Sequence, residues 1–217
     1  GYDNDDAAVL YSTQVCSWDY APLYWLADSF RSGASSVFDL GGHIGIKYYA
    51  FRRVLDYPDT LRWTVCDVPA VVRKGEQFAR ERQVDRQLAF CTDFAQAGDI
   101  DVLLMSGSLQ YLPVRMEEIL SMLPRKPGRV ILNITAGHGD RTLYTLNSIV
   151  HAICPYRIQQ QDEVLSEIRL CGYRRRDVWR NDGKPITIPF VEGGDGAFYF
   201  GCCFDRQATS SNEGIGH

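Results

Sequence analysis

Short apolar runs alternate along the chain with stretches whose apolar residues recur at helical spacing. Five of the runs are predicted to be strands, and the fourth of them is continuously apolar, which is typical of a strand buried on both faces. They comprise residues 36–40, 61–67, 88–91, 101–105 and 129–134. Between the first two runs, Ile44, Tyr48, Phe51 and Leu55 recur every three or four positions, which indicates one buried face of a helix.

The same spacing predicts helices over residues 18–30, 69–82 and 116–123, and Pro69 suits the first position of its helix. Strands that alternate with helices of this length favour right-handed crossovers. The fold class is therefore α/β: a Rossmann-like, mostly parallel sheet with helices on both faces. In such a sheet, ligands bind outside the carboxyl ends of the strands.

The pattern changes after residue 134. A polar loop is predicted over residues 135–141, followed by helical stretches at 142–152 and 162–170. Residues 173–179 and 197–204 then form an antiparallel strand pair, which completes a seven-stranded sheet.

Length and composition fit one large domain, since 217 residues with 45% apolar content can bury a sizeable core. We predict an N-terminal helical segment over residues 1–34, whose first 11 residues are acidic and loose. The main domain spans residues 35–204. Residues 205–217 are polar and small, which predicts a disordered tail.

Charge and cysteine usage exclude several classes of function. The net charge of −4 gives no basic footprint for a nucleic acid. No apolar run approaches the roughly 18 residues that span a membrane, so a cytoplasmic protein is expected. The seven cysteines include no C-x-x-C pair, and neither a metal site nor a disulfide framework is predicted.

The candidate chemistry lies where the first strand ends. Asp39 closes that strand, and a loop containing Gly41, Gly42, His43 and Gly45 follows at once. Glycines let the backbone approach a cofactor closely, and an acid before the loop suits the amino-acid portion of S-adenosylmethionine (SAM). A dinucleotide fingerprint fails, because two of its three glycine positions hold other residues.

With these features the chain resembles the class I SAM-dependent methyltransferases over residues 35–204. More narrowly, it is similar to an uncharacterised bacterial group of methyltransferases with a D-x-G-G-x-x-G loop. The stretch from Asp67 through Val68 and Pro69 resembles the D-L-P-x-V-[IV] element of small-molecule O-methyltransferases. This resemblance implies that Asp67 binds both ribose hydroxyls of SAM, although a residue at this position can instead cap the following helix.

The resemblance also implies further cofactor contacts. Asp93 corresponds to an acid near the adenine amino group, with Phe94 beside it as a stacking residue. The alternatives are a solvated turn for Asp93 and a core position for Phe94. The same comparison adds Val68, Ser106 and Gly107 to the cofactor set. His43 either holds the methionine portion of SAM or packs locally.

The acceptor side carries the catalytic candidates. Gln110 and Tyr111 lie where many relatives carry a histidine before an aromatic residue, and glutamine cannot accept a proton as that histidine does. His138 in the predicted loop is the leading candidate for a general base, with an exposed loop histidine as the alternative. The aromatic segment around Trp18 either covers the acceptor or packs in the core.

The predicted function is transfer of the SAM methyl group to a small-molecule acceptor, with O-methylation favoured. The first alternative is a non-catalytic SAM-binding or scaffold protein, motivated by Gln110 and by His43 at a loop glycine position. A nucleotide-binding oxidoreductase is a weaker alternative because of the glycine spacing. No feature of the sequence selects an acceptor or an oligomeric state.

Overall fold

The computed structural model describes residues 13–149, 152–188 and 196–208. Five α-helices occur in these ranges: α1 (Tyr20–Arg31), α2 (Ile46–Phe51), α3 (Pro69–Glu81), α4 (Met116–Met122) and α5 (Gln161–Leu170). The first five strands are β1 (Ser36–Leu40), β2 (Arg62–Cys66), β3 (Leu88–Cys91), β4 (Val102–Ser106) and β5 (Arg129–His138). The remaining four are β6 (Leu143–Ile149), β7 (Ala152–Gln160), β8 (Tyr173–Arg180) and β9 (Ala197–Arg206).

The strands form one mixed sheet in which the first five run parallel in the order β3, β2, β1, β4, β5. Strand β9 adds antiparallel to β5, and β8 adds antiparallel to β9. The seven strands that the sequence predicts are therefore present, including the antiparallel C-terminal pair. Their parallel carboxyl ends bring the loops after β1, β2, β3 and β4 to one edge of the sheet.

Side chains of alternate residues fill a core on each face of the sheet, because successive strand residues point to opposite sides. On one face, Phe38 and Leu103 pack with α4 and α5. On the other face, Val37 and Leu104 pack with α1 and α2. The helices therefore cover both faces, as predicted.

The predicted helix over residues 142–152 is wrong, because its described part is the hairpin of β6 and β7. Tyr144 and Leu146 are 75% and 69% exposed, whereas the alternate residues Leu143, Thr145 and Asn147 are half-buried, which is the period of a strand. The hairpin joins the sheet where Gly137 and His138 of β5 pair with the end of β7. Pairing between β6 and β7 therefore determines the structure of this segment, and the spacing of its apolar residues does not.

The predicted loop over residues 135–141 is also largely wrong, since β5 continues to His138. Its pairing with β9 shifts register between Leu132 and Thr135, and Ile134 between them has a left-handed φ of 49°. This bulge keeps the strand in the sheet while changing its course. The second half of β5 consequently pairs with β9 on one side and β7 on the other.

The boundaries at the chain ends also differ from those predicted. Strand β9 extends to Arg206, so the predicted tail from residue 205 begins too early. Asp205 remains in the sheet because its carboxylate accepts a hydrogen bond of 2.6 Å from Nε of Arg129. Residues 209–217 and the predicted loose segment over residues 1–11 lie outside the described residues.

Candidate functional site

The glycine loop joins β1 to α2 and contains two glycines in the left-handed backbone conformation. Gly41 has φ of 74° and Gly45 has φ of 87°, which L side chains rarely adopt. The Gly41 N–H donates a 2.8 Å hydrogen bond to the carbonyl of Cys66, the last residue of β2. The loop is thus fixed to the carboxyl end of the neighbouring strand.

Asp39 is almost completely buried beneath this loop. Its Oδ2 accepts a 3.1 Å hydrogen bond from Nε1 of Trp63, and its carboxylate lies so close to Gly42 that a Cβ there would approach it to 2.4 Å. Burial raises the pKa of Asp39 to about 7, while the nearby charge of Lys47 acts in the opposite direction. Oδ1 of Asp39 is buried and has no hydrogen-bond partner among the described residues. A cationic ligand group would satisfy this atom.

His43 occupies a left-handed conformation, with φ of 59°, at the loop position where the sequence pattern leads one to expect glycine. Such a conformation costs a residue with a side chain on the order of 1 kcal/mol or more. The histidine is buried, and its backbone N–H donates a 2.9 Å hydrogen bond to Oδ2 of Asp67. Strained backbone at this point therefore orients a donor toward the acid after β2.

Asp67 connects the glycine loop to the turn before α3. Besides the bond from His43, its Oδ1 accepts a 2.8 Å hydrogen bond from the N–H of Val68. Val68 is the N-cap residue of α3, and Pro69 begins the helix. Asp67 is only half-buried, and carboxylate oxygens can each accept more than one hydrogen bond. The carboxylate can therefore also accept bonds from a ligand.

Asp93 and Phe94 follow β3 at the same edge. Asp93 is exposed, and its Oδ1 accepts a 2.9 Å hydrogen bond from the N–H of Ala95, which caps the 3-10 helix Phe94–Ala97. This is the turn role that the sequence left open for Asp93. Phe94 is half-buried and packs against the core.

Gln110 has a fixed side-chain orientation after β4. Its Nε2 donates to the carbonyl of Gly107 at 2.9 Å and to that of Ile134 at 3.2 Å. Because both bonds involve the nitrogen, Oε1 points the other way, and this buried atom has no hydrogen-bond partner among the residues described. Ser106 ends β4, and the Gly107 N–H donates to the carbonyl of Asn133 at 2.8 Å.

The β6–β7 hairpin covers this region and brings Tyr156 of β7 against the predicted residue Tyr111, and sequence reasoning missed both Tyr156 and its neighbour Tyr199 of β9. Tyr111 accepts a 2.8 Å hydrogen bond from Nδ2 of Asn147 on β6, and its ring lies edge-on to that of Tyr156 on β7 at 5.0 Å. The hydroxyls of Tyr156 and Tyr199 lie 2.7 Å apart. Burial raises the pKa of both phenols, so they stay protonated and act as hydrogen-bonding groups.

His138 is neither exposed nor in a loop, which corrects the alternative considered for it. The residue belongs to β5, is 5% exposed and lies between the paired strands β7 and β9. Its Nδ1 accepts a 3.1 Å hydrogen bond from the N–H of Asp140. It also lies five residues beyond Asn133, the register partner of Ser106 at the end of β4, and therefore beyond the edge that the ends of the parallel strands form.

The aromatic segment before β1 divides between core and surface. Trp25 is buried and donates from Nε1 to Asp177 at 3.2 Å, whereas Tyr20 and Tyr24 are mostly exposed. The carbonyl of Trp18 accepts a 3.0 Å bond from Nδ2 of Asn133. This bond brings the segment onto β5 next to the candidate site.

A buried ion pair also joins this segment to α2, the helix that follows the glycine loop. Oδ1 of Asp19, which is fully buried, lies 2.5 Å from Nζ of Lys47 in α2. Oδ1 of Asn133 accepts from both Trp179 and Asn181 at 3.1 Å. Sequence reasoning missed these residues, although an asparagine inside the apolar run of β5 was a visible signal.

Two further findings concern metals and membranes. Within the described ranges, no three side chains of histidine, cysteine, aspartate or glutamate form a group able to bind a metal ion. No helix there is long and apolar enough to cross a membrane.

The fold matches solved methyltransferase structures. The N-terminal domain of EvdMO1 with SAH bound aligns at a TM-score of 0.61 and 14% identity, covering 89% of this chain and 83% of that one. Geranyl diphosphate C-methyltransferase from Streptomyces coelicolor A3(2) aligns at 0.59 and 16% identity, covering 86% and 76%. The glycopeptide N-methyltransferase MtfA aligns at 0.59 and 11% identity, covering 93% and 95%. The chain therefore has the class I methyltransferase fold.

Sequence comparison gives no closer assignment. No protein-family model matches this chain, and no curated protein matches it.

Proposed function

We propose that this protein binds SAM at the carboxyl edge of its parallel strands and transfers the methyl group to a small molecule. One observation carries the proposal: Asp39, the glycine loop and Asp67 meet where β1 and β2 end, joined by the bond from the His43 N–H to Asp67. Solved structures of the same fold contain SAM or SAH, as in EvdMO1 and in the magnesium protoporphyrin IX methyltransferase of Synechocystis. These neighbours support the cofactor class.

The proposed cofactor contacts follow from the chemistry of each group. Oδ1 of Asp39 is a buried acceptor suited to the ammonium group of SAM, and Asp67 is suited to the ribose hydroxyls. Asp93 and Phe94 are assigned to the adenine. The remaining proposed contacts are Gly41, Gly42, His43, Gly45, Val68, Ser106 and Gly107.

SAM supplies an activated methyl group, so the chain's own contribution is mainly position and orientation. We assign acceptor orientation to Gln110 and Tyr111. Oε1 of Gln110 is directed away from two backbone carbonyls and can accept a hydrogen bond from an O–H or N–H of the acceptor. O-methylation is one reaction that this arrangement supports.

The non-catalytic alternative rests on a specific observation. Gln110 has no basic nitrogen, and the hydrogen bond from Asp140 occupies the Nδ1 lone pair of His138. A protein that binds SAM without turnover would keep the same cofactor site. Formation of SAH from SAM in the presence of fractionated cell extract distinguishes an enzyme from such a binding protein.

The narrower features remain part of the same proposal. They are membership of the bacterial D-x-G-G-x-x-G group, a cytoplasmic location and a function that involves no nucleic acid. The N-terminal segment would cover the acceptor site, and the contacts of Trp18 and Asp19 support that role.

Calorimetry on the purified protein tests the cofactor assignment. We expect SAM and SAH to bind with micromolar dissociation constants, about 8 kcal/mol, and NAD to give no comparable heat. In the Asp67→Ala variant, two charge-assisted hydrogen bonds to the ribose are lost, which should weaken SAH binding by roughly 1.5 to 3 kcal/mol. Asp67→Asn should lose less.

Asp85→Ala is the matched control, because Asp85 is an exposed turn residue away from the strand ends that form the site. Its SAH affinity should equal that of the parent. If NAD binds and SAM does not, the proposed function is wrong. If Asp67→Ala binds SAH like the parent and only melts earlier, Asp67 has a structural role instead.

The His138→Ala variant separates a general base from a buried strand residue. If His138 is the general base, its replacement by alanine should lower methyl transfer about 100-fold at unchanged SAM affinity. Nδ1 already accepts a hydrogen bond from Asp140, and the neutral ring then carries its proton on Nε2, so neither nitrogen is available to take a proton from an acceptor. We therefore expect the variant to lose stability rather than activity. The free energy of unfolding should fall by roughly 1 to 3 kcal/mol, and transfer per folded molecule should stay within a few-fold.

Both quantities are measurable, by urea denaturation and by transfer of labelled methyl from SAM to an acceptor found by extract fractionation. A loss of transfer near 100-fold, with stability unchanged, would restore His138 as the base.

A further inference from the structure

Two thiols face each other directly beneath the proposed cofactor site. Cys66 ends β2 and Cys91 ends β3, and the two residues are register partners on neighbouring parallel strands. Register partners on adjacent parallel strands have side chains on the same face, with backbones about 4.8 Å apart. Both cysteines are reduced, buried and part of the same core cluster.

The two sulfur atoms interact. A hydrogen bond between the thiols raises the pKa of Cys66 and lowers the pKa of Cys91. The thiolate is the reactive form of cysteine, so Cys91 is the more nucleophilic of the two. Cys66 is then placed as its resolving partner.

The backbones of both cysteines support proposed cofactor residues. The carbonyl of Cys66 accepts the 2.8 Å hydrogen bond from Gly41, and the carbonyl of Cys91 accepts a 3.1 Å hydrogen bond from the N–H of Asp67. A displacement of Cys66 therefore moves the carbonyl that holds Gly41, and a displacement of Cys91 moves the carbonyl that holds Asp67.

We propose that Cys66 and Cys91 form a peroxide-oxidisable dithiol, and that their disulfide weakens SAM binding. The effect on SAM rests on the proposed function, whereas formation of the disulfide does not. The thiolate of Cys91 attacks a peroxide oxygen, the O–O bond breaks, and a sulfenic acid and one water form after protonation. The thiol of Cys66 then attacks that sulfur, and a second water leaves. Two electrons pass from the two sulfurs to hydrogen peroxide.

Geometry explains why the bridge would disturb the site. A disulfide requires Cβ atoms about 3.8 Å apart. The side chains of register partners on parallel strands leave the backbone side by side, so their Cβ atoms lie about as far apart as the strands, at about 4.8 Å. Closing the bridge therefore draws the ends of β2 and β3 together by on the order of 1 Å. Displacements of this size at a binding site can cost about tenfold or more.

The experiment treats the whole protein with hydrogen peroxide, blocks remaining thiols with N-ethylmaleimide and maps peptides by mass spectrometry. We expect a peptide that links Cys66 to Cys91 and disappears with dithiothreitol. Over the same treatment, the dissociation constant for SAH should rise about tenfold or more and return on reduction. Mapping uses the parent chain, so it does not depend on the folding of any variant.

Three variants complete the design. Cys66→Ala and Cys91→Ala should keep SAH binding after peroxide. Cys203→Ala should remain as sensitive as the parent, since Cys203 packs on the opposite face of the sheet. The inference is overturned if Cys91 carries only sulfenic or sulfinic acid without a link to Cys66, or if the linked protein binds SAH as the reduced one does. Failure of the reduced protein to bind SAH refutes the proposed function instead.

Discussion

The Asp39→Asn variant is expected to be more stable than the parent protein at pH 8 and to bind SAM more weakly. The reason is the burial of Asp39, which raises its pKa from 3.8 to about 7. The unfolded chain releases this proton near pH 4, whereas the folded chain keeps it until near pH 7. Folding therefore loses stability as the pH rises between these values, and the cost is complete above pH 7.

The expected size follows from the two pKa values. A difference of about three pH units corresponds to about 4 kcal/mol of unfolding free energy at pH 8. Asparagine can keep the hydrogen bond from Trp63 without ionising, so the variant avoids this cost. In a chain of this length, about 4 kcal/mol corresponds to a melting temperature roughly 10 °C higher. At pH 4 the two proteins should be nearly equal.

SAM affinity should change in the opposite sense, because the variant has no anionic oxygen for the ammonium group of SAM. Urea denaturation at pH 4 and pH 8, with calorimetry at pH 8, measures both effects. Asp99→Asn is the control, since its carboxylate is 71% exposed and forms a surface ion pair with Arg125. A stability difference that does not grow between pH 4 and pH 8 would show that Asp39 is ionised at little cost.

Much of the fold can be predicted from sequence because its first five strands fall in short, mostly apolar runs separated by segments with helical spacing. The predicted ends of β1 and β2 put Asp39 and Asp67 at one edge of the sheet, and the structure confirms that placement. Parallel topology makes this possible: once the strands are known, their carboxyl ends are known to meet.

The β6–β7 hairpin could not be predicted in this way. Residues 143–149 carry both apolar spacing that fits a helix and polar positions that fit a strand, and only pairing with β7 resolves the ambiguity. The same limit applies to Asp19 and Lys47, whose ion pair joins residues 28 positions apart. Contacts between residues so far apart in the chain cannot be predicted from local sequence patterns.

His43 shows a related limit at the centre of the site. The sequence shows that the loop lacks a glycine there, but it does not show that the histidine keeps the left-handed conformation of a glycine. The loop keeps its path because the bond from the His43 N–H to Asp67 and the left-handed glycines on either side specify that path. A residue with intrinsic strain at a ligand site is where local propensity is expected to fail.

The Gly41→Ala variant is expected to lose roughly 2 to 4 kcal/mol of stability, and most of this loss should disappear when Ser108 becomes glycine. A Cβ on Gly41 would lie 2.4 Å from Cβ of Ser108, and φ of 74° adds strain for any side chain. Ser108 cannot move away easily, because it is buried and its hydroxyl donates a 2.6 Å hydrogen bond to the carbonyl of Leu40.

Gly33→Ala provides the matched control for the backbone term alone. Gly33 has φ of 92°, but no neighbouring heavy atom lies within 4 Å of the point that a Cβ would occupy, so its substitution should cost only about 1 kcal/mol. In a double-mutant cycle by urea denaturation, Gly41→Ala in the Ser108→Gly background should cost no more than Gly33→Ala does in the parent. Additive costs at positions 41 and 108 would show that the loop can relax away from Ser108, and the close packing of the glycine loop on the turn after β4 would then not be what fixes the proposed cofactor site.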